Sequence, residues 1–276
     1  MPIPGTPESV LFESCVDSVS SALSSAAGGA NRIELCDNLI EGGTTPSTGT
    51  IAQCIERVSI PVCVMIRPRG GDYLYDADEV AVMERDIRVA RQLGAAGVVL
   101  GALAPDGSVD LALTERLVEA ARPLPVTFHR AFDRSRNLQQ SLEVLIRLGV
   151  DRVLTSGGMS SAIEGAETLG QLVVAAGSAL TVMAGGGVRP NNVGEVVRRS
   201  GVREVHARLV RRVDSPMRYR GGPGLSRRVS PTEEWREVTS RDEVSAMMRA
   251  LDTLPWKTPA RSAASPPSST LHGCSG

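Results

Sequence analysis

Short apolar runs recur along the chain at residues 10–15, 32–36, 61–67, 97–100, 125–129, 151–155, 180–184 and 204–206. They are nearly continuous in apolar character, as parallel strands covered on both faces are. Between them lie amphipathic stretches that read as helices at 19–27, 48–58, 78–93, 111–121, 138–148 and 161–176, with another opening at Pro190. A proline suits the first helical turn, where its missing N–H costs little. The unit repeats every ~25–35 residues, the scale of a βαβ step. Repeated over roughly 200 residues, it predicts an α/β fold, the (β/α)8 TIM barrel. A doubly wound sheet normally has fewer strands, and no G-x-G-x-x-G follows the first one.

After His206 the pattern changes. Residues 208–228 are rich in Arg and Gly and read as a long loop, and 242–251 as a final helix with Val244, Met247, Met248 and Leu251 on one face. The Ser/Pro/Ala-rich tail from 259 lacks the apolar content to fold. The expected domain is 9–252, with flexible termini at 1–8 and 253–276.

Alternation along each strand sorts its side chains into two faces. Glu13 and Cys15 share a face, as do Glu34 and Cys36, while Ile33 and Leu35 turn the other way toward the helices. The same parity groups Cys63, Met65 and Arg67, then Thr127 with His129, then Glu204 with His206. The ionisable groups are placed at strand C-terminal ends, where barrel enzymes build their sites. Glu13, Glu34, Arg67, His129 and His206 are therefore candidate catalytic residues. Their bland alternative is an inter-strand ion-pair network with Arg67 bridging Glu13 and Glu34.

Two glycine loops leave strands six and seven, through Ser156, Gly157 and Gly158 and through Gly185, Gly186 and Gly187. Such loops let a backbone approach an anion closely, so they are candidate ligand-binding segments for a phosphate or carboxylate. Tight βα turns use glycine as well.

Composition narrows the function. Formal net charge is -1, which gives no field to attract nucleic acid or an acidic membrane. Five cysteines without paired spacing argue for reduced thiols rather than a disulfide framework. No secretory leader is legible, and the apolar run at 93–105 falls short of the ~20 residues of a membrane span. A soluble, intracellular protein is expected. Lys257 is the one lysine, outside the barrel, which excludes lysine Schiff-base chemistry. What remains is Glu/His acid–base work on a small anionic or phosphorylated metabolite, or metal binding. Cys15 and Cys36 end neighbouring strands ~4.8 Å apart and suit a soft ion such as Cu(I), with Met65 nearby; zinc is disfavoured because four ligands are not evident. Two small buried side chains are the alternative.

The stretches Glu34-Leu35-Cys36, Glu41-Gly42-Gly43-Thr44-Thr45-Pro46-Ser47, Met65-Ile66-Arg67-Pro68-Arg69-Gly70-Gly71-Asp72 and Thr127-Phe128-His129-Arg130-Ala131-Phe132-Asp133 closely resemble the CutC copper-homeostasis family. So do Arg152-Val153-Leu154-Thr155-Ser156-Gly157-Gly158, Met183-Ala184-Gly185-Gly186-Gly187-Val188 and Glu204-Val205-His206, in the same order. The resemblance implies a (β/α)8 barrel, a cytoplasmic location, a homodimer or homotetramer, and a role in copper handling. It also implies Cys15 and Cys36 as Cu(I) ligands. After His206 the chain departs from the family pattern, with Ala207, Arg208 and Leu209 in place of a cysteine or small polar residues.

Overall fold

The computed structural model describes residues 9–219 and 234–254. Eight parallel strands close into a barrel: β1 (Leu11–Val16), β2 (Arg32–Leu35), β3 (Val62–Met65), β4 (Gly97–Leu100), β5 (Val126–Phe128), β6 (Arg152–Thr155), β7 (Thr181–Gly185) and β8 (Glu204–Ala207). Each is hydrogen-bonded to its neighbour in sequence, and β8 returns to β1 with Glu13 opposite His206. The intervening helices are α1 (Val19–Gly28), α2 (Thr48–Arg57), α3 (Ala77–Leu93), α4 (Leu111–Ala121), α5 (Leu138–Arg147), α6 (Ala166–Ala176) and α7 (Val193–Ser200). The expected barrel is the observed one.

Local chemistry sets the boundaries. Asp76 and Glu79 form a reciprocal capping box that starts α3, and the side chains of Ser18, Ser47, Asp110 and Asn137 cap α1, α2, α4 and α5. Pro190 does not open α7; the helix starts at Val193, after a turn in which Asn192 Oδ1 accepts from the Arg189 N–H. The helix expected from 161 begins only at Ala166.

The outward strand residues Phe12, Ile33, Leu35, Val64, Val98, Leu100, Phe128, Val153 and Val205 are buried in one apolar layer beneath the helices. Inside the barrel the register stacks side chains in levels, as alternate strands of a (β/α)8 barrel do. Arg32, Arg152 and Glu204 lie lowest, followed by Glu13, Cys63, Thr127 and Met183. Glu34, Val99, Leu154 and His206 form the next level, with Cys15, Met65 and His129 above it. Charge thus fills the floor, and the Cys15 and Cys36 thiols lie toward the mouth, with Cys63 below them.

Beyond β8 the long loop expected at 208–228 is partly strand over its described portion, 208–219, and 220–228 lie outside the described residues. β9 (Val210–Asp214) pairs antiparallel with β10 (Trp235–Thr239), with Val210 opposite Thr239 and Asp214 opposite Trp235. Then α8 (Arg241–Asp252) buries Val244, Met247 and Leu251, the face anticipated, and lies against α1 at Gly28. Of the termini read as flexible, 1–8 and 253–276, only Thr253 and Leu254 are among the described residues. Among the described residues no helix is long and apolar enough to cross a membrane.

Candidate metal centre at the barrel mouth

The floor of the barrel is an ion-pair network, with different cations from the one expected. The Arg32 guanidinium donates to Glu13 and to Glu204 at 2.6 Å, and Arg152 donates to Glu204 at 2.6 Å and to Thr127 Oγ1 at 3.0 Å. Arg67 does not bridge Glu13 and Glu34. It lies past the end of β3, and its guanidinium turns to the carbonyls of Glu41, Gly43 and Gly71 at 2.7–2.9 Å. Nor is Glu204 at a strand's C-terminal end: it is the first residue of β8, which sets it in the floor.

His206 links floor to mouth. Its Nδ1 lies 2.9 Å from Glu13 Oε1 and its Nε2 3.6 Å from Glu34 Oε2. Glu13, held by Arg32, is an acceptor, so Nδ1 carries a proton. Burial opposes ionisation of Glu13, but Arg32 and His206 pull its pKa down to about 2. Burial likewise opposes charge on His206, yet Glu34, Cys15 and Glu13 raise its pKa well above the usual imidazole value.

Above it, the Cys36 thiol donates to Glu34 Oε2 at 3.4 Å, and one ligand atom each from Cys15, Glu34 and Cys36 lie within 4.8 Å of one another. All three side chains are buried. The neighbouring Cys36 thiol, with His206 assisting, draws the Cys15 pKa down to about 5, whereas the proximity of Cys15, burial and the Glu34 carboxylate push Cys36 well up. Burial raises Glu34 as well. The pair thus yields one thiolate readily and holds its second proton. Gly43, at φ +93, completes the wall: a Cβ there would stand 3.1 Å from Cys36 Sγ and 3.6 Å from Met65 Cε. The Met65 thioether end therefore borders the thiols.

His129 lies at the same level on β5's side of the barrel and is not joined to Glu34 by any hydrogen bond among the described residues. Its Nδ1 accepts from the Ala131 N–H at 3.2 Å, which puts the proton on Nε2, a buried donor with no partner among the described residues. The Tyr73 ring packs against it at 5.1 Å and also receives the Arg67 guanidinium at 4.9 Å. Burial, and then the Arg67 charge, lower its pKa from 6.5 to about 3. A histidine neutral only when folded binds fewer protons than the unfolded chain, so stability falls as pH drops through 6.5 toward 3. Lowering pH from 7 to about 4.5 should cost the wild type about 2–3 kcal/mol more than the His129→Gln variant. Urea unfolding at both pH values checks this, and parallel losses in the two proteins would contradict it.

The glycine loops differ from each other. In the β6 loop, the N–H groups of Ser156 and Gly158 donate to Asp133 at 3.0 Å, and the hydroxyls of Thr155 and Ser156 also point at that carboxylate. The chain's own side chain occupies the cradle that the glycines suggested for a ligand. Gly165 shows how tightly the loop is wrapped, since a Cβ there would come within 1.9 Å of the Ser156 carbonyl oxygen. Beside the β7 loop, Arg130 donates to Ser156 Oγ at 2.8 Å and its Nη1 borders Gly186. Gly185 and Gly187 stand on either side.

Arg32, Arg152, Asp133 and Tyr73 were not singled out from sequence. For Arg32 and Arg152 a signal existed: each has the inward parity of its strand, with Glu34 and Leu154 two residues on.

Comparison with known proteins agrees with this architecture. The profile of the CutC family matches residues 10–210. A CutC family protein of Chromobacterium violaceum is 48% identical over 243 residues, 88% of this chain and 98% of its own length. The human copper homeostasis protein cutC homolog is 49% identical over 216 residues, covering 78% of this chain and 79% of its own. The crystal structure of a CutC protein from Streptococcus agalactiae superposes with a TM-score of 0.68 at 36% identity, over 71% of this chain and 97% of that one. At 16% identity, thiamine phosphate pyrophosphorylase from Pyrococcus furiosus (TM-score 0.53, 88% of this chain and 96% of that one) shares the fold alone. With the barrel, the motif order and the relatives in agreement, the chain belongs to the CutC family.

Proposed function

We propose that this protein binds Cu(I) in copper homeostasis, in the cytoplasm and as a homo-oligomer, through the thiolates of Cys15 and Cys36. The observation that carries this reading is the buried thiol pair inside the barrel mouth, beside the Met65 thioether end. Thiolate and thioether are the donors a soft monovalent ion selects. The lowered pKa of Cys15, to about 5, supplies one thiolate at neutral pH, and metal binding would displace the second proton. The names of the mouse and human relatives point the same way.

Titrating the reduced protein with Cu(I) against a chromophoric chelator tests it. Cys15→Ala combined with Cys36→Ala should lower affinity by at least about 1000-fold, roughly 4 kcal/mol. Unchanged affinity in that double variant would remove both residues from the site.

A second reading, acid–base catalysis on a small anionic metabolite, is favoured by three buried polar atoms that have no hydrogen-bond partner among the described residues: Glu34 Oε1, Arg67 Nε and His129 Nε2. Burying such groups idle is costly, and a bound anion would satisfy the two donors. In it Glu34 exchanges protons and Arg67 with His129 fixes the anion. Any phosphate would fall to Gly185–Gly187 and Arg130. Thermal-shift screening of phosphorylated and carboxylated metabolites tests it, and a uniformly flat response would count it out.

A further inference from the structure

We infer that the barrel mouth is a four-donor centre able to hold a divalent ion of the zinc class, in which His206 Nε2 and the Glu34 carboxylate join the sulfurs of Cys15 and Cys36. This deepens the copper reading by resting on the same thiol pair, but it does not require copper.

Spacing is the first argument. Cys36 Sγ and Glu34 Oε2 are 3.4 Å apart, and Glu34 Oε2 and His206 Nε2 are 3.6 Å apart. Zinc bonds of 2.0–2.3 Å in a tetrahedron put neighbouring donors about 3.3–3.8 Å apart. The Cys15 sulfur completes the group within 4.8 Å of Glu34 and Cys36. Two trios share Glu34, one with Cys15 and Cys36 and one with Glu13 and His206, and they meet because β8 closes against β1 and sets His206 beside Glu13.

Orientation is the second. Glu13 accepts from Nδ1 of His206 and is itself clamped by Arg32, so the ring is fixed with Nε2 turned toward Glu34. A carboxylate on the far nitrogen is the usual support of a metal-binding histidine: it sets the tautomer and raises the basicity of the ligating atom.

The third is the unmatched oxygen. Glu34 Oε1 is buried without a hydrogen-bond partner among the described residues. A carboxylate in that state is expensive, and a divalent cation against Glu34 offsets the cost. Cu(I) held by thiolates has little use for a hard oxygen donor, whereas zinc takes thiolate, imidazole and carboxylate together.

The test uses the full chain, reduced and metal-free, titrated with Zn(II) against a chromophoric chelator and separately with Co(II) as an optical stand-in. One equivalent should bind, and Co(II) should show thiolate charge-transfer bands with tetrahedral d–d intensity. His206→Ala should weaken Zn(II) by at least about 100-fold, and Glu13→Gln by about 10–100-fold. Cu(I) affinity should fall by a clearly smaller factor than Zn(II) affinity in both, since the sulfurs remain. The wild-type cobalt spectrum and the isosteric Glu34→Gln variant, which should also weaken Zn(II), answer the question even if His206→Ala fails to fold. No Zn(II) or Co(II) binding by the wild type would overturn the inference and leave the copper reading standing, as would His206→Ala retaining full Zn(II) affinity. Zinc binding that depends on His206, in a protein that ignores Cu(I), would do the reverse.

Discussion

Replacing Arg32 with Met should lower the free energy of unfolding by about 3–5 kcal/mol, measured from denaturant midpoints near neutral pH. The side chain stands between two buried carboxylates, Glu13 at 1% exposure and Glu204 at 7%, and donates to both. A methionine fills similar space but leaves Glu13 with His206 as its remaining partner and Glu204 with Arg152. The loss should depend on pH in a set direction. Glu13 is depressed from 4.5 to about 2 in the fold, so the stability it contributes is present above 4.5 and lost as pH falls through 2. The gap between variant and wild type should therefore be widest at neutral pH and narrow in acid. Adding Glu204→Gln to Arg32→Met should cost less than the sum of the single changes, because they share one network. A single variant within about 1 kcal/mol of wild type would show that the network contributes little. Metal affinity should fall as well, since Glu13 braces His206 only while Arg32 holds it.

Asp133→Ala is expected to cost about 3 kcal/mol by leaving a loop's donors without an acceptor. The carboxylate takes the N–H groups of Ser156 and Gly158, the hydroxyls of Thr155 and Ser156, and Arg130 Nε at 2.7 Å. Its side chain is only 7% exposed, so water does not replace those bonds readily. Asp133→Asn should fall between, because its amide nitrogen would face donors. The emptied cradle should then accept an outside anion, and added inorganic phosphate should raise the melting temperature of Asp133→Ala more than that of wild type. Equal shifts in the two proteins would contradict this account of the β6 loop.

These two cases mark where the sequence stops being readable. The strand rhythm was legible because every strand is covered on both faces and carries its own apolar record. Parity then set Glu13, Cys15, Glu34 and Cys36 inward, since alternation is a local property. The floor network is not local. Arg32 and Glu204 are 172 positions apart and meet only when β8 closes on β1. At the first position of a strand, an arginine reads as a solvated flank. Asp133 follows β5 by five residues and reads as part of a polar turn, and nothing nearby shows that it will reach across to the β6 loop. Arg67 errs the other way. Its parity is inward, but past the last ladder residue of β3 the side chain is free to turn to the loop carbonyls. The β9–β10 ribbon was missed because its strands are short and mostly exposed. His206 was found as a candidate, yet its bond to Glu13 follows from barrel closure and could not be.

The central claim is that Cys15 and Cys36 form a metal centre inside the barrel mouth. A crystal of the full chain loaded with Cu(I), with diffraction recorded on both sides of the copper edge, tests it most directly. The account predicts one anomalous peak within about 2.4 Å of both sulfurs, and a zinc-loaded crystal should add His206 Nε2 to the contacts. A protein whose thiols carry no anomalous density, with copper at other residues or nowhere, would contradict it.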